Sequence, residues 1–213
     1  MLFNNLNIQV FSIHQKLPAL PLRSLFQLQH MAYAGKMISN PVTGQEIRFI
    51  KTGKDTNGQL LEMKTIYSSK SVEPPLHYHP KQAEDFKVLK GILSVRINGE
   101  VKMLKEGEHL HIPPNTIHAM WNPSESTCIV NWQVRPALQT EFLLETGMGL
   151  ANDGKINLQG MPSFLQTIAM GSRFGSEYRL AKPAYLLQKL VFILLKPAAY
   201  LLGYQPVYKQ YVD

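Results

Sequence analysis

Between Gln45 and Pro136 apolar residues recur at every second position over short stretches, and residues suited to turns follow each stretch. A period of two belongs to a strand with one face buried and the other wet. Leu93, Val95 and Ile97 alternate with Ser94, Arg96 and Asn98. Asn98-Gly99 then closes a hairpin, since both residues tolerate the positive φ of a type I′ turn. Val101 and Met103 are expected to resume the apolar face on the way back. Leu110 and Ile112 lead into Pro113-Pro114-Asn115, another turn. Val130, Trp132 and Val134 alternate with Asn131, Gln133 and Arg135 before Pro136 ends the strand. Many short strands separated by turn chemistry predict a sandwich or barrel.

Outside this block the pattern changes. Residues 1–36 carry Lys16, Arg23 and Lys36 but no carboxylate, and show no sustained period. Met1 to Val10 has neither the basic start nor the apolar run of about 7–15 residues that a secretory signal needs. The segment reads as a poorly ordered extension. After Pro136 the residues suit helices. Leu138 to Thr146 is expected as a short helix ended by Gly147 and Gly149, with a loop at Asn152-Asp153-Gly154. Pro162 to Met170 is a second helix with proline in its first turn, and Pro183 to Gly203, the most apolar part of the chain, a third. The expected organisation is thus an extension over residues 1–36, a β body over 37–136 and a helical C-terminal extension over 137–213.

Composition narrows the class. Apolar residues make up 45% of the 213 and charged ones 17%, too apolar a mixture for a disordered chain. Cys128 is the single cysteine, which rules out an intrachain disulfide and a cysteine-built zinc site and suits a cytoplasmic protein. The net charge of +7 is spread as +3, +2 and +2 over the three segments. Lysine and arginine nowhere cluster with interleaved aromatics, so nucleic acid is not an expected partner.

The segment from Pro75 carries the chemistry. His77 and His79 lie two apart, so on a strand they project from one face. Glu84 shares its parity with Phe86 and Val88 on the next strand, which sets a carboxylate opposite two imidazoles on one sheet face. Two histidines and a carboxylate there make a metal site. His118, in a second segment from Gly107 to Asn122, is a third candidate histidine. His109 and His111 have parity opposite to Leu110 and Ile112 and are expected on the outer face. Cys128 and Trp132 read as core, and Met120, which shares parity with His118, as core or pocket wall.

These residues resemble the two motifs of the cupin superfamily. His77, His79, Glu84 and Gly91 match the spacing of the first, and Gly107, Pro113, His118 and Asn122 that of the second. Asn115 stands where glycine is usual, a mild departure because asparagine tolerates the left-handed conformation. The resemblance implies a mainly β fold, a jelly-roll β-barrel, here followed by the helical C-terminal extension. It also implies a divalent metal ion (Fe, Mn, Ni or Zn) held by His77, His79, Glu84 and His118. Glu84 is then the candidate catalytic base, able to leave the ion and accept a proton. The function implied is a small-molecule oxygenase-like or isomerase-like enzyme. A non-catalytic binding or sensing protein is the alternative. Cupins commonly pair through their sheets, so a homodimer is implied as well.

The third helical segment lies outside these motifs. Lys182, Lys189 and Lys196 are seven apart and form one cationic stripe beside Leu186, Leu190, Ile193 and Leu194. Gln188, Lys189 and Pro197 argue against a membrane span, which needs about 20 predominantly apolar residues. A helix packed on the barrel or on a partner, with its stripe in water, is the favoured reading, and a helix lying in a membrane surface the less favoured one.

Overall fold

A computed structural model describes residues 32–212. The expected extension therefore lies, up to residue 31, outside the described residues. Residues 32–36 sit against the body: Ala32 is buried in its core, and Lys36 Nζ lies 2.6 Å from Glu145 Oε1.

Two antiparallel sheets face each other across an apolar core. Ten strands precede the helices: β1 (Met37–Asn40), β2 (Gln45–Lys51), β3 (Leu61–Tyr67), β4 (His77–Tyr78), β5 (Ala83–Lys90), β6 (Ile92–Ile97), β7 (Glu100–Lys105), β8 (His109–Ile112), β9 (His118–Trp121) and β10 (Cys128–Arg135). Three helices follow, α1 (Thr140–Asn152), α2 (Phe164–Phe174) and α3 (Tyr185–Leu201), with a short strand β11 (Arg179–Leu180) between the last two. The first sheet runs β1-β2-β3-β10-β5-β8 and the second β11-β4-β9-β6-β7. Sequential strands thus cross between the sheets, giving a jelly-roll β fold with a helical C-terminal part. Period-two alternation lands as expected on β5, β6 and β10, where Phe86, Val88, Leu93, Val95, Val130 and Val134 are buried between the sheets.

The hairpin between β6 and β7 forms at Asn98-Gly99, with φ of 50° and 96°. Its register corrects one expectation. Residues directly opposite on antiparallel strands share a face, and Val101 pairs with Arg96 and Met103 with Ser94. Val101 and Met103 are therefore exposed, and Leu104, opposite Leu93, carries the apolar face. Asn115 has φ of 63°, the left-handed conformation anticipated for it.

Two helices depart from expectation. The first does not end at Gly147 but continues to Asn152. Gly149 is there for packing: a Cβ on it would overlap the ring of Tyr211, which lies across the helix. The second begins only at Phe164, leaving Pro162 outside it, and runs past Met170 to Phe174. The third, Tyr185–Leu201, falls within the expected segment and runs unbroken through Pro197, which is on the exposed side.

Three substitutions test this packing and the pairing of Lys36 with Glu145. Gly147→Ala meets no atom within 4 Å and should stabilise the protein by about 0.5–1 kcal/mol through helix propensity. Gly149→Ala displaces Tyr211 and should instead destabilise by about 1–3 kcal/mol, both read from urea denaturation. Lys36→Met leaves Glu145 charged and buried without its cation, at a cost of about 3 kcal/mol near neutral pH. Burial already raises the Glu145 pKa, against the pull of Lys36, and the substitution raises it further. A raised carboxylate pKa disfavours the fold above that pKa and has no effect below the unfolded value. The deficit of Lys36→Met against wild type should therefore shrink as the pH is lowered, and a deficit that grows would contradict the pairing.

Candidate metal centre

Strand β4 is short, and His77 on it pairs with His118 on β9. His79 follows β4 directly, so all three imidazoles reach inward from the second sheet. Glu84 is on β5 of the first sheet, opposite Val134 of β10 and Ile112 of β8. The cluster forms between the two sheets, not on one sheet face as the alternation suggested, because β4 and β5 part into different layers after Pro80.

Each imidazole is fixed through Nδ1. That of His77 lies 3.0 Å from the carbonyl of Pro75 and that of His118 2.9 Å from the carbonyl of Thr116. The Nδ1 of His79 meets the carbonyl of Glu177. A carbonyl only accepts, so each Nδ1 carries the proton and donates it, and in the neutral ring Nε2 is left with its lone pair. The ring centroids lie 4.5–5.3 Å apart, and one nitrogen from each ring falls within 4.8 Å of the others. Glu84 Oε2 lies 3.2 Å from His79 Nε2 and 2.9 Å from His118 Nε2. Those contacts are close but poorly directed, and all three atoms are buried without a well-formed hydrogen bond. Buried polar atoms left in that condition cost stability unless something else engages them.

The charges follow from this enclosure. Burial pushes His77 down to about 3, and the imidazoles of His118 and His79 push the same way, so its ring is neutral. Burial also opposes charge on His79, but Glu84 beside it outweighs this and raises its pKa. Burial would raise Glu84, yet His79 and His118 hold it well below the usual carboxylate range. The Oε1 of Glu84 accepts a hydrogen bond of 2.9 Å from Trp132 Nε1, which leaves Oε2 aimed at the imidazoles. A lone-pair nitrogen from each of three rings and one carboxylate oxygen fit a borderline divalent cation.

The helical extension completes the centre. Strand β11 pairs with β4, placing Arg179 opposite Tyr78 and Leu180 opposite His77. Just before it, Glu177 supplies the carbonyl on His79, and Tyr178 stacks on His77 with centroids 4.7 Å apart. A cavity of about 340 Å³ opens from the four residues towards the helices. Its walls are mostly apolar and include Phe86, Met120, Leu143, Met170, Phe174 and Tyr178.

Sequence reasoning named the four clustered residues and missed three supports. Trp132 alternates with polar neighbours and read as core only; its indole N–H carried no sequence signal. Glu177 and Tyr178 lie far along the chain in a segment without a motif, and the contact of Glu177 is made by backbone. Met120 does line the cavity. His109 and His111 are exposed, and His111 Nδ1 lies 2.7 Å from Asp85 Oδ1 on the outer face. Cys128 is buried in the core, its thiol pushed up to about 11 by burial.

With sheets and site in hand, comparison with known proteins gives the class. The chain belongs to the cupin superfamily: the family model described as "Cupin domain" matches residues 65–134, which hold all four clustered residues. A probable oxidoreductase of Hypocrea virens, virH, is 29% identical over 147 residues, covering 65% of this chain and 67% of that protein. The quercetin 2,3-dioxygenase of Bacillus subtilis is 30% identical over 110 residues, half of this chain but only 31% of that enzyme. Among solved structures, an RmlC-like cupin from Shewanella frigidimarina aligns at 19% identity and a TM-score of 0.42, covering 53% of this chain and 95% of that one.

The bond from Trp132 to Glu84 can be tested directly. Trp132→Phe keeps the stacking on Phe86 but leaves a buried carboxylate oxygen without its donor. Urea denaturation should show a loss of about 1–3 kcal/mol, and an unchanged midpoint and slope would mean that the bond contributes nothing.

Proposed function

We propose that this cupin is a metal-dependent oxygenase-like enzyme acting on an apolar small molecule that bears an acidic hydroxyl, of enol or catechol type. The observation that carries it is the convergence of three Nδ1-anchored histidines and Glu84 at the inner end of an apolar cavity. The oxidoreductase and dioxygenase relatives agree with this reading. His77, His79 and His118 hold a divalent ion through Nε2, with Glu84 as the fourth ligand. Bound there, the ion supplies Lewis acidity and, if redox-active, reactivity towards dioxygen.

The rest is the work of the chain. The cavity walls take up the hydrocarbon part of the substrate and exclude water, so that charges inside interact strongly. Once released from the ion, Glu84 Oε2 would accept the proton of the substrate hydroxyl, while Trp132 keeps the other oxygen engaged and the carboxylate beside the substrate. Tyr178 holds the plane of His77, and the Glu177 carbonyl holds that of His79. The isomerase-like variant uses the same residues, with Glu84 returning the proton to a different substrate atom.

A binding or sensing role without turnover is the second reading, and one observation favours it. The phenols of Tyr67 and Tyr178 on the cavity wall are pushed far up by burial and stay protonated. Glu84 is then the one carboxylate among the described cavity-lining residues.

Metal analysis of protein purified without added metal should find one divalent ion per chain. Replacing any one of His77, His79 or His118 by alanine should remove most of it, since changes even beyond the ligands commonly cost ~10–100-fold in affinity. His109→Ala and His111→Ala should retain it. At a hundredfold excess over its dissociation constant the ion stabilises the fold by about 2.7 kcal/mol. A chelator should therefore lower the Tm of wild type and not of the ligand variants. Stoichiometric metal in a His77→Ala, His118→Ala double variant would sink the assignment. Oxygen uptake with a panel of apolar enols and catechols separates the two readings, and bound metal without turnover would favour the binding role.

A further inference from the structure

The outer face of α3 is apolar and has no partner in the described chain. Leu186, Leu190, Ile193, Pro197 and Leu201 recur at the three- and four-residue spacings of one helix face, and Leu186, Ile193 and Leu201 are 81%, 62% and 88% exposed. The opposite face packs on α2, with Phe192 against Gly171 and Gln188 bonded to the carbonyls of Leu180 and Pro183. The favoured expectation packed these leucines on the barrel or on a partner; the structure does not pack them on the barrel.

A second observation says what kind of partner this face suits. Along one edge of the leucines runs a groove lined by Arg173, Arg179, Lys189 and Lys196 together with Ser172 and Tyr185. Among the described residues no carboxylate lines it. From residue 164 to residue 203 the one acid is Glu177, which is buried and turned to the interior, where its Oε1 accepts from the Gln139 N–H.

We propose that α3 and this groove form a docking surface for an anionic membrane, with the leucines inserted at the level of the acyl chains and the four cations among the phosphates of the headgroups. An apolar helix face edged by lysine is the pattern of a helix lying in the plane of a bilayer surface. Among the described residues no helix is long and apolar enough to cross one. A second copy of the chain fits less well. A twofold interface sets the same patch against itself, and this one would bring lysines and arginines together with no carboxylate to offset them. Nor can the first 31 residues neutralise the groove, since they contain no Asp or Glu.

The test uses the full chain and sedimentation with vesicles of phosphatidylcholine, alone or mixed with phosphatidylglycerol. The protein should pellet with the mixed vesicles, less so as salt is raised, and remain in solution with phosphatidylcholine alone. Lys189→Glu with Lys196→Glu should weaken binding at least fivefold for each lysine, from ~1 kcal/mol per basic residue near an anionic surface. Leu186→Ser with Leu190→Ser and Ile193→Ser should abolish it while leaving the Tm and metal content nearly unchanged, because all three side chains are more than half exposed. Wild-type chain that ignores both vesicle types overturns the proposal. So does a dimer in sedimentation velocity that the leucine variant splits while the wild type ignores vesicles, which would assign the face to a second copy. Inorganic phosphate that releases the protein far below the ionic strength at which chloride does would also overturn it, making the groove a small-anion site.

Discussion

A carboxylate buried between two sheets has to be compensated, and Glu84 is compensated from three directions of the fold. Trp132 reaches it from β10, His118 from β9 and His79 from the end of β4, while His79 is itself held by Glu177 at the head of β11. Several kcal/mol would be lost if the carboxylate stood there alone. The two sheets, their register and the docking of the helical extension are therefore tied to one charged group. The compensation is also incomplete, because Oε2 and two Nε2 atoms approach without good geometry. A core optimised only for stability has no reason to gather such atoms, and a ligand set does.

What could be read in the sequence was what repeats at short range or needs special backbone. Alternation placed the buried faces of β5, β6 and β10, and Asn98-Gly99 and Asn115 announced their left-handed conformations. Errors arose where a residue type has two uses. Val101 and Met103 are apolar, but the two-residue turn sets them opposite Arg96 and Ser94, so register overrode composition. Gly147 and Gly149 resemble a helix stop, yet Gly149 is a seat for the Tyr211 ring on a helix that continues.

The clustered residues were legible for a related reason. His77 and His79 are two apart and Glu84 and His118 lie within the same short β block, so spacing encodes them. Their supports are not encoded in that way. An indole N–H that donates and one that merely packs look alike in sequence. A backbone carbonyl such as that of Glu177 is independent of residue type altogether. The side of the cluster from Trp132 through Glu177 to Tyr178 could be seen only once the chain was folded.

The helical extension has two environments to satisfy, and its composition reflects both. Towards the barrel, Phe174, Tyr178, Gln188 and Phe192 border the cavity, and β11 adds a strand beside His77. Water held away there keeps the dielectric low around the imidazoles and Glu84, which strengthens each of their interactions. Away from the barrel the same helix presents leucine and lysine. A helix only about 25 Å long, at 1.5 Å per residue, cannot gain a hydrophobic inner face for the cavity and a hydrophobic outer face without losing the polar side that solvent requires. In α3 the polar share is reduced to Tyr185, Gln188, Lys189, Lys196 and Tyr200. The Gln188 amide and the packing of Phe192 and Ala199 hold such a helix in place, and its outer face is the one proposed above to meet a membrane.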